Sequence, residues 1–419
     1  MRKLYVDCDR YSEVLSVLQI CAVGKPLFSN LEFVRLWSLT RGSIPSIPLF
    51  LSPRTTSICI EFDTPPILKA LVASTIAAFP MLCPNLQRIS FWSLPRDPMI
   101  VAAVSGMFLA GNWNTLRYLN MNSPLTKEDY QVIFKLPNLC ELLLDIEGDT
   151  SLPSVVLPNL TDLTIRYDHD HGWLQGFRGA TLGKLDSISF SSESESVGDF
   201  FEAFKQVALT TSIPETLSTL KFYTFRPWNP SYRSLLPFTQ LKELMVDFFC
   251  EGGCSSTIND DVITDIARAM PRLEALLFGY PCQTPTGITA KGLTALAYYC
   301  PRLSTLRVHF QVSSLDPQGI PGDTPGGGPT IPADCALTEL DVGEIPLPIE
   351  SVSVVALALL RIFPRIDDID SCDGEWEKVM DAIRRSRQLV DRSSKKSPLA
   401  PPRSNLTTSP PGATLESVV

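Results

Sequence analysis

Asn259-Asp260-Asp261-Val262-Ile263-Thr264-Asp265-Ile266-Ala267-Arg268-Ala269-Met270-Pro271-Arg272-Leu273-Glu274-Ala275-Leu276-Leu277-Phe278 sets two periodicities back to back. Val262, Ile263, Ile266, Ala267 and Met270 mark one face of a helix, which an Asn or Asp at its amino end can cap and Pro271 stops. Leu273, Leu276 and Phe278 then form a short phrase whose last two apolar residues alternate, the period of a strand with one buried face. The next unit repeats the grammar: Thr289 as cap, Leu293, Leu296 and Ala297 as the inner face, Cys300-Pro301 as the stop, and Leu303-Leu306-Val308 as the strand phrase.

The same phrase recurs outward from these units as Leu86-Ile89-Phe91, Leu116-Leu119-Met121, Leu139-Leu142-Leu144, Leu160-Leu163-Ile165, Leu185-Ile188-Phe190, Leu217-Leu220-Phe222 and Leu241-Leu244-Val246. Weaker copies are Leu31-Val34-Leu36, Thr55-Ile58-Ile60, Leu337-Leu340-Val342 and Ile366-Ile369. The steps between middle aliphatics from Val34 to Ile369 average about 28 residues, the period of a long leucine-rich repeat with room for an outer helix. One unit cannot cover its own apolar side, so neighbours must stack. Burying two or three aliphatics per strand supplies roughly 1.5–3 kcal/mol each before ordering entropy is subtracted. Right-handed crossovers between parallel strands then predict an α/β leucine-rich-repeat solenoid, a ribonuclease-inhibitor-like horseshoe with parallel strands on the concave face and helices on the convex face. Strand and helix are expected to alternate over residues 1–373.

Residues 311–334 interrupt the array with five Gly and five Pro, too many for a helix or a central strand, and read as a loop in place of an outer helix. Residues 374–390 read as a carboxyl-terminal capping helix with Trp376, Val379, Met380 and Ile383 on one side, and 391–419 have the composition of a disordered tail. At the other end, Leu4 and Val6 read as a strand followed by a helix from Ser12 to about Val23. A solenoid opening on a bare repeat leaves unpaired strand groups, so Met1 is expected to be an internal or mis-assigned start with more residues upstream.

Across its 419 residues the chain is 44% hydrophobic and 19% charged, with mean hydropathy +0.11, which excludes a wholly disordered protein. Its net charge of -9 and pI near 5.0 argue against nucleic acid or an anionic membrane as the main partner and for other proteins. The eleven cysteines are an odd, scattered set, and Asp7 and Asp9 interrupt any secretion signal, so reduced thiols and a cytoplasmic and/or nuclear location are expected. The long uncharged runs are broken by Pro80 and Pro84 in one case and by Gly106 and Gly111 in the other, and neither suits a membrane span.

Little points to chemistry. His169 and His171 flank Asp170 without further metal ligands, and Cys250 and Cys254 have no second pair. Gly326-Gly327-Gly328 lacks the Lys and helix that cradle phosphate, and no nucleotide-binding or nucleophile-elbow motif occurs. No enzyme activity, catalytic residue, cofactor or metal is therefore expected.

The inner face remains. Strand residues between the buried aliphatics point away from the core, so the concave surface should present Arg35, Trp37, Arg88, Trp92, Tyr118, Asn120, Asn122, Glu141, Asp145, Arg166, Lys221, Tyr223, Glu243, Asp247, Arg307, His309, Glu339 and Asp341. Aromatics interleaved with Arg on a rigid sheet suit a protein hot spot. Toward the end, Glu339, Asp341, Asp367, Asp368, Asp370 and Asp373 gather negative charge suited to a basic segment. A hydrophilic face that binds nothing in particular is the alternative.

The phrases Gly287-Ile288-Thr289-Ala290-Lys291-Gly292-Leu293-Thr294-Ala295-Leu296-Ala297-Tyr298-Tyr299-Cys300-Pro301-Arg302-Leu303-Ser304-Thr305-Leu306 and Leu136-Pro137-Asn138-Leu139-Cys140-Glu141-Leu142 resemble the cysteine-containing repeats of F-box/leucine-rich-repeat proteins of the fungal type. The resemblance covers about residues 1 to 390. It implies an amino-terminal F-box that grips the adaptor subunit of an SCF ubiquitin ligase, with the repeats holding the substrate. The chain departs from that pattern in two ways: no leucine-proline-initiated F-box segment precedes the repeats, and the Asn usual after the last aliphatic is replaced at Leu94, Pro124, Glu147 and Asp168. The expected function is thus non-enzymatic protein binding, as the substrate-recognition part of an F-box subunit, with the SCF adaptor a partner only if an F-box lies upstream. The alternative is a free-standing repeat scaffold with no ubiquitin link.

Overall fold

The computed structural model describes residues 2–22, 26–40, 42–62, 69–95, 97–122, 125–147, 152–168, 171–192, 200–224, 231–248, 258–279, 287–315, 335–343, 345, 347, 351–371 and 373–395. Among them, fourteen strands form one open, all-parallel sheet in strict sequence order. They are β1 Lys3–Asp7, β2 Phe33–Trp37, β3 Ser57–Glu61, β4 Arg88–Trp92, β5 Tyr118–Met121, β6 Glu141–Ile146, β7 Asp162–Tyr167, β8 Ser187–Ser192, β9 Thr219–Thr224, β10 Glu243–Phe248, β11 Ala275–Phe278, β12 Thr305–Arg307, β13 Glu339–Gly343 and β14 Asp368–Ser371. Their register places the middle aliphatics in one row, Leu4, Val34, Ile58, Ile89, Leu119, Leu142, Leu163, Ile188, Leu220, Leu244, Leu276, Leu306, Leu340 and Ile369. From Leu31 to Ile366 the leading residue of each phrase is 0% exposed, so the phrase read from the sequence is the buried stack.

The units are joined by a forked backbone step. One carbonyl just before each strand accepts two successive N–H groups from the next unit: Thr56 O takes Gln87 and Arg88 at 2.7 and 3.0 Å, and Lys242 O takes Glu274 and Ala275 at 2.7 and 3.0 Å. The step recurs at all thirteen junctions, from Arg2 O to Thr338 O. It satisfies backbone groups that a turn buried against its neighbour would otherwise leave unpaired.

The helices are α1 Ser12–Ala22, α2 Lys69–Leu82, α3 Pro98–Ala110, α4 Lys127–Ile133, α5 Phe200–Ala208, α6 Ile213–Thr216, α7 Asp260–Ala269, α8 Ala290–Tyr299, α9 Val352–Ile362 and α10 Glu375–Lys395. Strict alternation of strand and helix does not hold. Steps such as Leu244 to Leu276, 32 residues, carry a helix. The steps Val34 to Ile58, Leu163 to Ile188 and Leu220 to Leu244, 24 or 25 residues each, carry 3-10 turns at Ile44–Phe50, His171–Phe177 and Tyr232–Leu235. The shortest, 21 residues from Leu142 to Leu163, has no helix among its described residues. Length alone does not decide this, since the 23-residue step from Leu119 to Leu142 carries α4. Helices pack about 8–10 Å apart and strands about 4.8 Å apart, so the outer layer bends the ribbon with the sheet on the inside.

Caps form where expected and reach across units. The Asn259 side chain accepts from Val262 N, and the Thr289 side chain from Lys291 N. Asp260, in the first turn of α7, also binds the start of α8: its Oδ1 accepts from Thr289 N at 2.8 Å and Gly292 N at 2.9 Å, and its Oδ2 from Thr289 Oγ1 at 2.6 Å. Asp129 does the same in reverse, completing a capping box with Thr126 and accepting from Ser105 Oγ of α3 at 2.8 Å. Where a 3-10 turn replaces a helix, rings fill the volume: Tyr167, Trp173, Phe190, Phe200, Phe204 and Phe222 pack together, with Phe190 and Phe200 edge to face at 4.8 Å.

Helix α10 packs against α9 and β14, with Trp376, Val379 and Ile383 at 0% and Met380 at 4% exposure. Trp376 Nε1 donates to Ile345 O at 2.9 Å, and Arg387 ties to Asp367 at 2.6 Å and to Pro364 O at 2.9 Å. The helix runs to Lys395, so 391–395 belong to it and not to the tail. No Pro or Gly occurs between Glu375 and Ser397 to stop it, and Pro398 lies three residues past its end. Of the Gly/Pro-rich insertion, 311–315 form a turn at Val312–Ser314. Residues 316–334 and the tail from 396 to 419 lie outside the described residues.

Candidate protein-binding face

Residues alternating with the buried rows stand on the sheet's open face as three further rows. The first, nearest the strand starts, holds Arg88, Tyr118 and Glu141 side by side. The second runs Arg35, Cys59, Ser90, Asn120, Leu143, Thr164, Ser189, Lys221, Met245, Leu277, Arg307, Asp341. The third holds Trp37, Glu61, Trp92, Asp145, Arg166, Ser191, Tyr223 and Asp247. The candidates named from sequence separate into two groups, divided by the small side chains Thr164, Ser187, Ser189 and Ser191.

The first group is built on β2 to β7. The Arg88 guanidinium lies 4.3 Å from the Tyr118 ring centroid and reaches Glu141 at 3.9 Å, two strands away. The Arg35 guanidinium sits 5.9 Å from the Trp37 ring and 3.8 Å from Glu61. Arg166 of β7 reaches the Trp92 ring of β4 at 5.5 Å, so its side chain crosses the face of β6 and β5. Flat guanidinium groups laid on ring faces fix both partners, each worth about 0.5–1 kcal/mol where exposed. Both tryptophans enter identical turns: Trp37-Ser38-Leu39 and Trp92-Ser93-Leu94 place Ser38 and Ser93 at φ 55° and 54°, and Leu39 and Leu94 in the core. A left-handed non-Gly residue costs about 1–2 kcal/mol, and its recurrence beside the two rings holds them at the strand ends.

The second group, on β9 to β13, is ionic. Arg307 binds Asp341 at 2.5 Å and Asp247 at 3.4 Å, and Thr305 Oγ1 lies 3.2 Å from Glu339 Oε2. Burial raises the Asp247 carboxyl above the usual range, against the pull of Arg307. Lys221 pairs with Glu243 at 2.8 Å, and Tyr223 Oη donates to Met245 Sδ at 3.3 Å. Burial also raises the Tyr223 hydroxyl and the Cys59 thiol, the latter opposed by the Ser90 hydroxyl. Much of this half's charge is spent inside the chain. Asp247, Arg307 and Asp341 therefore form an internal network.

Two candidates are corrected. Asn120 is on the open face but is 0% exposed, because it sits between the Arg88–Tyr118–Glu141 and Arg166–Trp92 bridges. His309 is past the end of β12 and 8% exposed. Asn122 follows β5, half-buried, with its N–H donated to Phe91 O at 3.3 Å. Glu61, Cys59, Ser90 and Leu143 were missed by sequence reasoning, although the same alternation marks them. Among the described residues, no group of three or more His, Cys, Asp or Glu could hold a metal. His169, Asp170, Cys250 and Cys254 lie outside the described residues, as does the side chain of His171. Among the described residues no helix is long and apolar enough to cross a membrane.

No family model and no curated protein matches the chain. Similar solved structures include the crystal structure of a protein from Bacteroides fragilis, 11% identical with a TM-score of 0.31, aligned over 70% of this chain and 69% of that one. A likeness at that level assigns nothing to this chain.

Proposed function

We propose that the chain is a non-enzymatic protein-binding solenoid that holds its partner on the open face of β2 to β7, as the substrate-recognition part of an F-box-type ubiquitin ligase subunit. The observation that carries protein binding is the joined set of Arg35–Trp37, Arg88–Tyr118 and Arg166–Trp92 pairs. Tyr, Trp and Arg are the residue types that dominate interface energy, and side chains held together as closely as Arg88 and Tyr118 lose little rotamer freedom on binding. The ubiquitin link is supported by the Cys-Pro and Leu-Pro-Asn-Leu repeat wording alone.

Two experiments test the two levels separately. Trp92→Ala/Tyr118→Ala should lose the partners captured by the wild-type chain from its own cells while keeping its thermal midpoint within a few degrees; unchanged partners would refute the placement of the face. Co-purification of the longest natural transcript should bring down the ligase adaptor. Partner capture without the adaptor would leave a free-standing repeat scaffold in place of the ligase subunit.

A further inference from the structure

Asn120 stands in the second open-face row between Ser90 and Leu143, yet neither its Nδ2 nor its Oδ1 has a hydrogen-bond partner among the described residues. Its 0% exposure on a face made for solvent is unusual, because a buried amide with neither partner carries a cost that Leu or Val in the same place would not. Two bridges flank it. Arg88, Tyr118 and Glu141 close the side toward the strand starts, and Arg166 laid toward Trp92 closes the side toward the strand ends. The first is a stack between adjacent strands with an ion pair added. The second is a single long side chain reaching over two strands at 5.5 Å, the looser of the two.

We propose that Asn120 is the backbone anchor for an extended peptide segment of the partner, uncovered when Arg166 lifts from Trp92. A carboxamide offers donors and an acceptor from one rigid plane, which matches the C=O and N–H of a single peptide group. A carboxylate would leave Oδ1 facing another lone pair, and an ammonium would leave Nδ2 unused, so the pairing that satisfies both orphaned atoms is with a neutral amide. Trp92 and Tyr118 then flank the segment with ring faces, and half-buried Leu143 gives it an apolar floor beside Asn120. This rests on the protein-binding function proposed above and narrows it to one anchor and one partner chemistry.

The probe is a displayed library of random linear peptides, selected on the wild-type chain and counter-selected on Trp92→Ala/Tyr118→Ala. A selected peptide is titrated against wild type, Asn120→Leu and Asn120→Ala, and remade with each backbone amide replaced in turn by an ester. Asn120→Leu should bind at least about tenfold more weakly, with a thermal midpoint equal to or above wild type because the orphaned amide is gone. One ester position should weaken wild type comparably and have no further effect on the Asn120 variants. Undiminished binding by both Asn120 variants, with dependence on Trp92 and Tyr118 intact, would overturn the anchor and leave the binding face standing. A flat ester series with affinity lost on replacing an Asn or Gln of the peptide would overturn the backbone pairing. A library yielding no peptide that separates wild type from the double variant would overturn the binding face itself.

Discussion

The link from Asp260 to α8 makes a sharp prediction about coupling between units. Asp260→Ala removes three hydrogen bonds to the amino end of the next helix, two of them to backbone N–H groups. Bonds to a charged acceptor are worth about 1.5–3 kcal/mol each in isolation, but these three share one half-exposed carboxylate, so about 2–3 kcal/mol in total is expected. Gly292 lies under the same group: a Cβ there would stand 2.6 Å from Asp260 Oδ1 and 3.2 Å from Ile288 Cγ2. Gly→Ala inside a helix ordinarily gains about 0.5–1 kcal/mol. Here the overlap should reverse the sign, costing about 1–2 kcal/mol in wild type. Combined with Asp260→Ala, the first overlap disappears, and the double variant should be more stable than the sum of the singles by about 1–2 kcal/mol. Urea unfolding followed by circular dichroism reads the sums, and hydrogen exchange at the amides of α8 reads them locally, since a stacked array can open in parts. Additive costs, or a Gly292→Ala variant more stable than wild type, would refute the coupling.

Gly111→Ala should cost at least about 2 kcal/mol and redden Trp113 fluorescence, because the added Cβ would meet the Trp113 ring at 2.2 Å, where its Nε1 donates to Phe108 O at 3.2 Å. Ser93→Val should cost about 1–2 kcal/mol in thermal melts and Ser93→Gly almost nothing, since a β-branched residue resists the left-handed turn that glycine accepts. The Glu202 carboxyl is held down to about 2 by the Ser234 hydroxyl, Gln206 and Lys205, below its ordinary 4.5. A depressed acid stabilises the fold above its unfolded pKa. The advantage of wild type over Glu202→Gln should therefore be full above about pH 5 and fade as pH falls toward 2, when melts are compared across that range; a gap independent of pH would count against the assigned bonds.

Much of the fold was legible because each phrase encodes a buried position directly. Leu244, Leu276 and Leu306 fall in one row since each must fill the same slot against its neighbours. The Asn259 and Thr289 caps and the inner stripe of α10 were legible for the same local reason. The outer helices were read too freely. Hydrophobic pattern alone does not distinguish a helix from a 3-10 turn over Ile44–Phe50 or Tyr232–Leu235. The binding face was legible as a set of positions and illegible as a set of partners. Alternation puts Arg166 on the open side, but only register and side-chain reach bring it to a ring three strands away. Nothing in the pattern distinguishes Asn120, covered by those bridges, from the exposed residues around it.

The forked step between neighbours has a consequence for how such a chain can change. Each joint is one carbonyl shared by two N–H groups, and it is the same whether a fourteen-residue helix or, among the described residues, no helix lies behind it. The inner face thus behaves as a ruler with evenly spaced graduations, read off independently of the material on its back. Insertions and deletions behind it alter how tightly the arc closes, while the letters printed along the ruler keep their spacing and order.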